Sequence, residues 1–533
     1  MKQKWKEVSA NHQAEKVGIT RRQMLGTMAA GIGGIVAGGI TTPTALATTQ
    51  TSSSSVKKSE PNKNKGPFNP STARIKTLFG IGYETWFVPG GVTWNTREAT
   101  PKLGTYRSDD PNVINQHAQW LVDAGYDFIL VDWSNNLGGN WTNGTAQAII
   151  GGTDAVFQQY NKIQKHPKIA LLLGLDDGGE VGTDHWNEQI ALIKQNYLNN
   201  PQYNAILQQY KDKPLLIVYM GPSAGAIPDW DDSDFTVRWQ GALYNGNIGP
   251  ADGKWSWIDN APTLYGPQTS VSNFAVDGFK GWNADSAWQV VQNGSDKFGR
   301  TSPNGGFADT RVNGDAATGI LTSPSFEITG AFFFFYAAGY DKPDNSGKQN
   351  FFYLKDASTG QILKQMHAPG EDIFIPVFWD VRAFSGRKVI FEAVDGNAGA
   401  DHAWLACSGL VQIQNEFSVA QTGIFGSGST GMNGWTNWNA ERRLSGATLV
   451  RYMQEVFTFE PDVALVQQWN EFGQTDQLTV EGSNDIEPTV VNNLDGPNSD
   501  GWGFYYLNLV KALIQQYRQG RPIPDVELDL RYP

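Results

Sequence analysis

Carboxylates and aromatic residues occur side by side at the ends of several short apolar runs in the sequence. In glycoside hydrolysis one carboxyl protonates the leaving oxygen and a second acts as base or nucleophile, while aromatic rings hold the sugar. The pattern therefore predicts a carbohydrate-active site, although each acid alone could be a strand-end carboxylate that accepts loop N–H groups. The residues at the run ends are Tyr83, Glu84, Trp86, Asp132, Trp133, Asp176, Asp177, Tyr219, Trp257, Asp259, Trp469, Asn470 and Glu471.

Eight apolar runs predict the strands that position these residues. Several are almost continuously apolar, such as FILVDW, IALLLGLD and LLIVYMG, which is typical of parallel strands buried on both faces. Helical segments alternate with them; one begins at Asp110-Pro111 and ends at Gly125. The sequence therefore predicts an α/β fold with a (β/α)8 TIM barrel, whose chemistry lies at the C-terminal strand ends. The runs are 75–87, 127–134, 168–176, 214–221, 235–243, 255–259, 417–425 and 462–472.

A segment of different character interrupts these runs. Over residues 274–414 helical periodicity disappears, and short β runs alternate with turns rich in Gly, Asn and Asp, which predicts an inserted antiparallel β-sandwich. The barrel is then split into residues 74–273 and 415–533. An insertion in a loop at the C-terminal strand ends would hang over the catalytic face, either as a glycan-binding domain or as a structural lid.

The N-terminal region resembles an export signal. Arg21-Arg22 precede a Gly/Ala-rich apolar run, and Ala45-Leu46-Ala47 resembles a cleavage site, so residues 1–47 are predicted to be a twin-arginine signal peptide. The alternative is a weak transmembrane anchor. Residues 48–73 are predicted to be a flexible linker. We expect a secreted chain, extracellular or periplasmic, with no stable membrane insertion after cleavage; its one cysteine, Cys407, excludes an intrachain disulfide.

Composition excludes several other classes of protein. The chain has 41 Lys and Arg against 53 Asp and Glu, a net charge of −12, which argues against nucleic acid as a partner. Its 19 Trp, 18 Tyr and 27 Phe favour a surface that stacks against sugar rings. The six histidines are not paired at metal-ligand spacing, so we expect no metal and no cofactor, although Ca²⁺ in the sandwich is left open. We expect a monomer.

Three stretches of the predicted barrel carry a family resemblance. They are GIGYETWF, LGTYRSDDPNVINQHAQWLVDAGYDFILVDWS and ALVQQWNEFGQTDQLTVEGSNDIEP. The barrel resembles the clan of glycoside hydrolase families 99 and 71, especially the endo-α-mannosidase-like family 99. The stretches LTSPSFEITG, YLKDASTGQIL, FWDVRAFSGRKVIFEAVD and HAWLACSGL of the insertion resemble carbohydrate-binding modules.

The resemblance implies roles for two acids. In family 99 an Asn-Glu-aromatic element supplies the base that works through the substrate 2-hydroxyl, and a following Glu-Gly supplies the general acid. Glu471 matches the first role and Glu481 the second, while Ile486-Glu487-Pro488 matches a third element. The chain departs from the family because the acid should lie three residues after the base, where Gln474 stands. The other candidates for the acid are Asp132, Asp176, Asp476 and Glu84.

The sequence thus predicts a secreted glycoside hydrolase that cleaves glycosidic bonds, expected to be α-linked, in a polysaccharide or oligosaccharide. The catalytic candidates are Glu471, Glu481 and Asp132. The alternatives are a non-catalytic glycan-binding surface protein on a barrel scaffold, or a transglycosylase; two carboxyls about 5 to 10 Å apart would favour an enzyme. The expected substrate-binding residues are Tyr83, Glu84, Trp86, Trp133, Asp176, Tyr219, Trp239, Trp257, Trp435, Glu441, Arg442, Trp469 and Asn470.

Overall fold

The structure is a computed structural model. It describes residues 71–95, 97, 99–134, 144–174, 183–220, 229–241, 254–256, 264–296, 299–342, 349–422, 446–472, 485–492 and 500–523. The predicted signal peptide, and its linker up to residue 70, lie outside this part. Within it, no helix is both long enough and apolar enough to cross a membrane.

The first part of the chain alternates strands and helices. Asp110 caps the helix that follows it by accepting from Asn112 N, and Gly125 ends that helix in the left-handed conformation, as the sequence predicts. The elements in order are α1 (Thr72–Lys76), β1 (Leu78–Tyr83), α2 (Val92–Asn95), β2 (Ala99–Pro101), α3 (Pro111–Ala124), β3 (Phe128–Trp133), α4 (Gly144–Tyr160), β4 (Lys168–Leu173), α5 (Thr183–Ile193), a π-helical turn (Lys194–Leu198), α6 (Pro201–Asn204), β5 (Gln209–Tyr210), β6 (Lys213–Met220), β7 (Thr236–Gly241), β8 (Trp255–Ser256) and β9 (Leu264–Tyr265).

The middle of the chain forms two antiparallel sheets packed face to face. The elements are β10 (Gln268–Ser272), α7 (Phe274–Asp277), β11 (Asn283–Ala284), β12 (Gln289–Val291), β13 (Phe307–Asp309), β14 (Gly319–Thr322), β15 (Phe326–Glu327), β16 (Phe332–Asp341), β17 (Phe351–Asp356), β18 (Ile362–His367), β19 (Glu371–Asp380), β20 (Lys388–Asp395) and β21 (Ala403–Ile413). One sheet has the order β12-β13-β21-β16-β19 with β10 beside β21, and the other has the order β11-β14-β20-β17-β18 with β15 beside β20. Phe335, Phe352 and Phe391 lie in the core between the two sheets.

The last part of the chain completes the barrel. It contains β22 (Phe417–Gln421), α8 (Ala447–Phe459), β23 (Val463–Gln467), β24 (Thr489–Asn492), β25 (Asp500–Gly503) and α9 (Tyr505–Arg518). Eight strands pair in parallel in the order β8-β7-β6-β4-β3-β1-β23-β22. Trp255 of β8 stacks on Phe417 of β22 with ring centroids 4.5 Å apart, which brings the two edge strands together. The sheet is thus a nearly closed parallel barrel. Seven of its strands fall within predicted runs, and β6 begins one residue before the run 214–221.

The side chains of the barrel strands alternate between two cores. Phe128 and Leu130 of β3 point into the barrel, and Ile129 and Val131 point towards the surrounding helices. This two-sided burial explains why the strands are almost continuously apolar. It also means that neighbouring residues at a strand end face different environments.

The sandwich lies at the N-terminal end of the barrel. After β8 the chain returns through β9, which runs antiparallel to β22 and pairs Tyr265 with Phe417 at the start of that strand. Phe459, shortly before β23, packs against Phe332 of the sandwich with ring centroids 5.0 Å apart, and Arg382 of the sandwich lies 3.7 Å from Glu460. The expectation that the insertion covers the catalytic face is therefore wrong, because β9 carries the chain to the opposite end first.

Candidate active site

Glu84 and Glu471 follow two neighbouring barrel strands. β1 pairs with β23, and Glu84 comes directly after β1 while Glu471 comes four residues after β23. The N–H of Trp469 donates to the carbonyl of Gly82 at 2.9 Å, so the two chains stay adjacent beyond the end of the strands. Because the carboxyl ends of parallel strands meet at one end of a barrel, both carboxylates lie at the C-terminal end, opposite the sandwich.

One amide nitrogen contacts both carboxylates. Gln468 Nε2 donates to Glu471 Oε2 at 3.2 Å and also to Glu84 Oε1. Since each hydrogen bond spans about 3 Å, the two bonded oxygens are about 6 Å apart at most. Glu84 is fully buried and Glu471 is 7% exposed. The structure thus holds two carboxylates together in a site with little access to bulk water.

Asn470 fixes the backbone of Glu84. The N–H of Glu84 donates to Asn470 Oδ1 at 2.8 Å, and Asn470 Nδ2 donates to the carbonyl of Glu84 at 3.1 Å. The side-chain amide thus bonds both polar groups of that residue, as a neighbouring strand would. These bonds hold the backbone of Glu84 in place. That Asn470 also contacts substrate stays a prediction.

Asp485 holds the turn that presents Glu471. Its Oδ1 accepts from the N–H of Glu471 at 2.6 Å, and its Oδ2 accepts from the N–H of Phe472 at 2.9 Å. Phe472 has a φ of 42°, a left-handed conformation that a bulky residue rarely adopts. The two bonds to Asp485 explain how this turn is held. Sequence reasoning missed Asp485, whose only signal is its place beside the Ile-Glu-Pro element.

Gln467 and Gln468 end the apolar run of β23 with two buried amides. The whole side-chain amide of Gln467 and the Oε1 of Gln468 have no hydrogen-bond partner among the described residues. Buried amide groups of this kind are suited to bind water or sugar hydroxyls. Neither glutamine was predicted as a site residue from the sequence. Two polar residues directly after the apolar stretch VALV could have indicated them.

Gly82 makes room for Gln468. A Cβ on Gly82 would lie 2.2 Å from Gln468 Oε1 and 3.0 Å from Gln467 Oε1. We expect Gly82→Ala to displace Gln468 and to lower the free energy of unfolding by about 1 to 3 kcal/mol, as overpacking does. Thermal unfolding measures this loss. The matched control is Gly151→Ala in α4, where a Cβ meets nothing within 4 Å and stability should rise slightly; equal effects of the two substitutions would contradict the prediction.

A network of buried hydrogen bonds connects Glu487, Tyr106, His117 and Tyr83. Glu487 accepts from Tyr106 Oη at 2.7 Å through Oε2, and its Oε1 lies 3.1 Å from His117 Nε2. Tyr83 Oη lies 2.9 Å from His117 Nδ1. Burial raises the pKa of Glu487, and the nearby His117 opposes this. Burial, and then the negative charge of Glu487, raise the pKa of Tyr106.

Three other predicted site residues, Asp132, Trp133 and Tyr219, are buried at or near the ends of their strands. Asp132 is buried, and its Oδ1 accepts from the N–H of Ser134 at 2.6 Å. Trp133 faces the helices, where its Nε1 donates to Thr153 Oγ1 at 2.9 Å. Tyr219 is buried inside the barrel. The structure therefore places Trp133 in the core between barrel and helices rather than beside the two glutamates.

The remaining aromatic candidates are partly exposed or packed. Trp86 is partly exposed and packs against Phe87 with ring centroids 6.2 Å apart. Trp469 is fully buried, with its ring 5.3 Å from that of His117. Trp239 contacts the ring of Trp186 at 5.2 Å. The predicted residues that lie outside the described part of the chain, and stay predictions, are Asp176, Asp177, Trp257, Asp259, Trp435, Glu441, Arg442, Gln474, Asp476 and Glu481.

Comparisons with known proteins give remote structural likenesses. No family model matches the chain, and no curated protein matches it. The chain is similar to a solved GH99 endo-α-mannosidase from Bacteroides thetaiotaomicron bound to bis-tris-propane, with 11% identity and a TM-score of 0.38 over 83% of this chain and 99% of that one. Part of the chain is also similar to TmCBM61 bound to β-1,4-galactotriose, with 13% identity and a TM-score of 0.21 over 27% of this chain and 99% of that one. It is likewise similar to CBM27-1 of Caldicellulosiruptor saccharolyticus bound to mannohexaose, with 10% identity and a TM-score of 0.20 over 28% of this chain and 97% of that one.

Proposed function

We propose that the chain is an exported glycoside hydrolase in which Glu84 and Glu471 are the two catalytic carboxylates. The observation that carries this proposal is the contact of both groups with Gln468 Nε2. Glycoside hydrolysis uses two carboxyls about 5 to 10 Å apart, and the separation set by this shared donor is compatible with that range. Export rests on the N-terminal sequence pattern.

The two glutamates would have different catalytic roles. Glu471 takes the role of base or nucleophile-like carboxylate, as its place in Asn470-Glu471-Phe472 implies. Glu84 is the carboxylate held beside it and takes the role of general acid, in place of Glu481. The substrate is a polysaccharide or oligosaccharide, expected to be α-linked, and the buried amides of Gln467 and Gln468 are candidates to contact its hydroxyls.

The proposal is tested with a panel of α-glucans, α-mannans and bacterial exopolysaccharides. Release of reducing ends by the purified chain supports hydrolysis. Binding without any product would support the non-catalytic alternative, and longer products would support transglycosylation.

The assignment of Glu84 predicts a dependence on the leaving group. We expect Glu84→Gln to lower kcat on the cleaved glycan by about 10²- to 10⁴-fold, because the leaving oxygen is no longer protonated. A glycosyl fluoride of the same sugar should still be turned over, since fluoride leaves without a proton. Reducing-end assays and a fluoride electrode measure the two reactions.

Glu481→Gln is the matched variant for this experiment. If Glu84 is the acid, Glu481→Gln should not show the selective loss on the glycan. The reverse pattern, with Glu84→Gln active on the glycan and Glu481→Gln inactive, would return the acid role to Glu481.

A further inference from the structure

We infer that Glu487, His117 and Tyr106 form a positioning network that fixes the backbone of Glu84 and thereby its spacing from Glu471. This inference rests on the function proposed above. The hydrogen bonds of these residues reach the backbone of Glu84 through Asn470.

Together with Tyr83, whose hydroxyl bonds His117, the network joins four parts of the chain. Tyr83 ends β1, Tyr106 precedes α3, His117 lies within α3, and Glu487 follows the segment that carries Glu471. All four side chains are buried, with exposures between 0% and 6%. A network that connects several elements resists their relative movement better than a bond within one element.

One assignment of protons satisfies every bond. Tyr83 O–H donates to His117 Nδ1, and His117 Nε2–H donates to Glu487 Oε1. Tyr106 O–H donates to Glu487 Oε2. Glu487 then accepts a hydrogen bond at each carboxylate oxygen, which offsets the cost of burying its charge.

Tyr106 connects this network to the catalytic pair. Its oxygen accepts from Asn470 Nδ2 at 3.1 Å, while its proton goes to Glu487. The same Asn470 amide holds both backbone groups of Glu84. Removal of the Tyr106 hydroxyl therefore frees Asn470 at one point and leaves Glu487 with one donor fewer.

The ring of Tyr106 is held independently of its hydroxyl. Phe87 and Trp94 contact it edge to face, with centroids 5.6 and 5.0 Å away. Tyr106→Phe should therefore keep the packing and remove only the two hydrogen bonds. This makes it the most selective substitution in the network.

The test compares Tyr106→Phe with the wild type on a glycan that the wild type cleaves. We expect kcat to fall about 10- to 100-fold, as for other residues that orient a reacting group, with KM nearly unchanged. The matched control is Tyr126→Phe, a tyrosine that is equally buried and whose hydroxyl has no partner in the described part of the chain. The control should keep the wild-type kcat.

Crystal structures of the same variants give a readout that does not depend on turnover. We expect Tyr106→Phe to move the Glu84 carboxylate relative to Glu471 by more than about 0.5 Å, and Tyr126→Phe to leave it in place. Glu487→Gln is a second variant with the same expected effect, because an amide offers only one acceptor oxygen.

The outcomes separate this inference from the proposed function. An unmoved Glu84 overturns the inference whatever kcat does. A displaced Glu84 with wild-type kcat supports the positioning role of the network and contradicts the catalytic role proposed for Glu84. If the wild type cleaves no glycan, the proposed function fails, and the position of Glu84 in the variant crystals alone decides whether the network positions it.

Discussion

Replacement of Glu471 by Gln should abolish hydrolysis while leaving glycan binding intact. Glu471 is the carboxylate expected to act as base or nucleophile, and loss of such a group lowers kcat by about 10²- to 10⁴-fold or more. An amide has almost the same shape, so the bonds from Gln468 and the turn held by Asp485 should change little. Reducing-end release measures the lost rate, and calorimetric titration with the same glycan measures the retained binding.

The control for this substitution is Glu188→Gln, an exposed glutamate on α5. It changes the net charge by the same amount and should leave both turnover and binding at wild-type values. Turnover by Glu471→Gln at a rate comparable with the wild type would remove Glu471 from the catalytic pair. Loss of binding together with turnover would instead indicate that Glu471 holds the substrate.

The barrel strands could be predicted because burial on both faces leaves a local signal. The runs around β3, β4 and β6 are apolar at nearly every position, and no neighbouring part of the chain is needed to recognise them. Even β8, a strand of two residues, falls inside a predicted run. The sandwich was recognisable for a similar reason, since turns rich in Gly and Asn recur at short spacing.

The pairing of Glu84 with Glu471 could not be predicted in the same way. The two residues are 387 positions apart in the sequence, and their contact depends on β1 lying beside β23 in the barrel. The direction in which each side chain points at a strand end was equally impossible to predict from the sequence. Trp133 is one residue from Asp132, yet its ring packs among the helices.

The position of the sandwich was also beyond local sequence reasoning. The strand β9 brings the chain to the end of the barrel where the sandwich lies. It has only two residues, and its pairing with β22 has no sequence signature. With the sandwich at the N-terminal end of the barrel, it cannot act as a lid on the carboxylate pair. A glycan bound by the sandwich would lie at the opposite end of the barrel from the carboxylate pair.

The N-terminal end of the barrel is held by a buried ion cluster around Glu416. Arg238 of β7 bonds both oxygens of Glu416, which directly precedes β22, at 2.7 Å each, and Lys211 also contacts it. The Glu416 side chain is 1% exposed. β8 pairs with β7 and contacts β22 through the stacked rings of Trp255 and Phe417, so this cluster joins β7 and β22 at the place where the barrel closes.

We expect Glu416→Gln to lower the free energy of unfolding by about 3 to 5 kcal/mol, since it leaves the Arg238 charge partly buried without its partner. The unfolding temperature should fall by roughly 5 to 10 °C in calorimetry. The control is Asp109→Asn, which breaks an exposed pair with Arg107 and should cost less than about 1 kcal/mol.

The pH dependence of the stability lost in Glu416→Gln tests whether the ion cluster is the cause of that loss. Burial would raise the pKa of Glu416, but the bonds and charges of Arg238 and Lys211 outweigh it and lower the pKa. A carboxyl with a lowered folded-state pKa stabilises the protein above its unfolded pKa of about 4.3, and this contribution is lost as the pH falls towards the folded-state value. The difference in unfolding temperature between wild type and Glu416→Gln should therefore be largest near neutral pH and shrink below about pH 4. A difference that stays constant with pH would mean that packing, rather than the ion cluster, stabilises this end of the barrel.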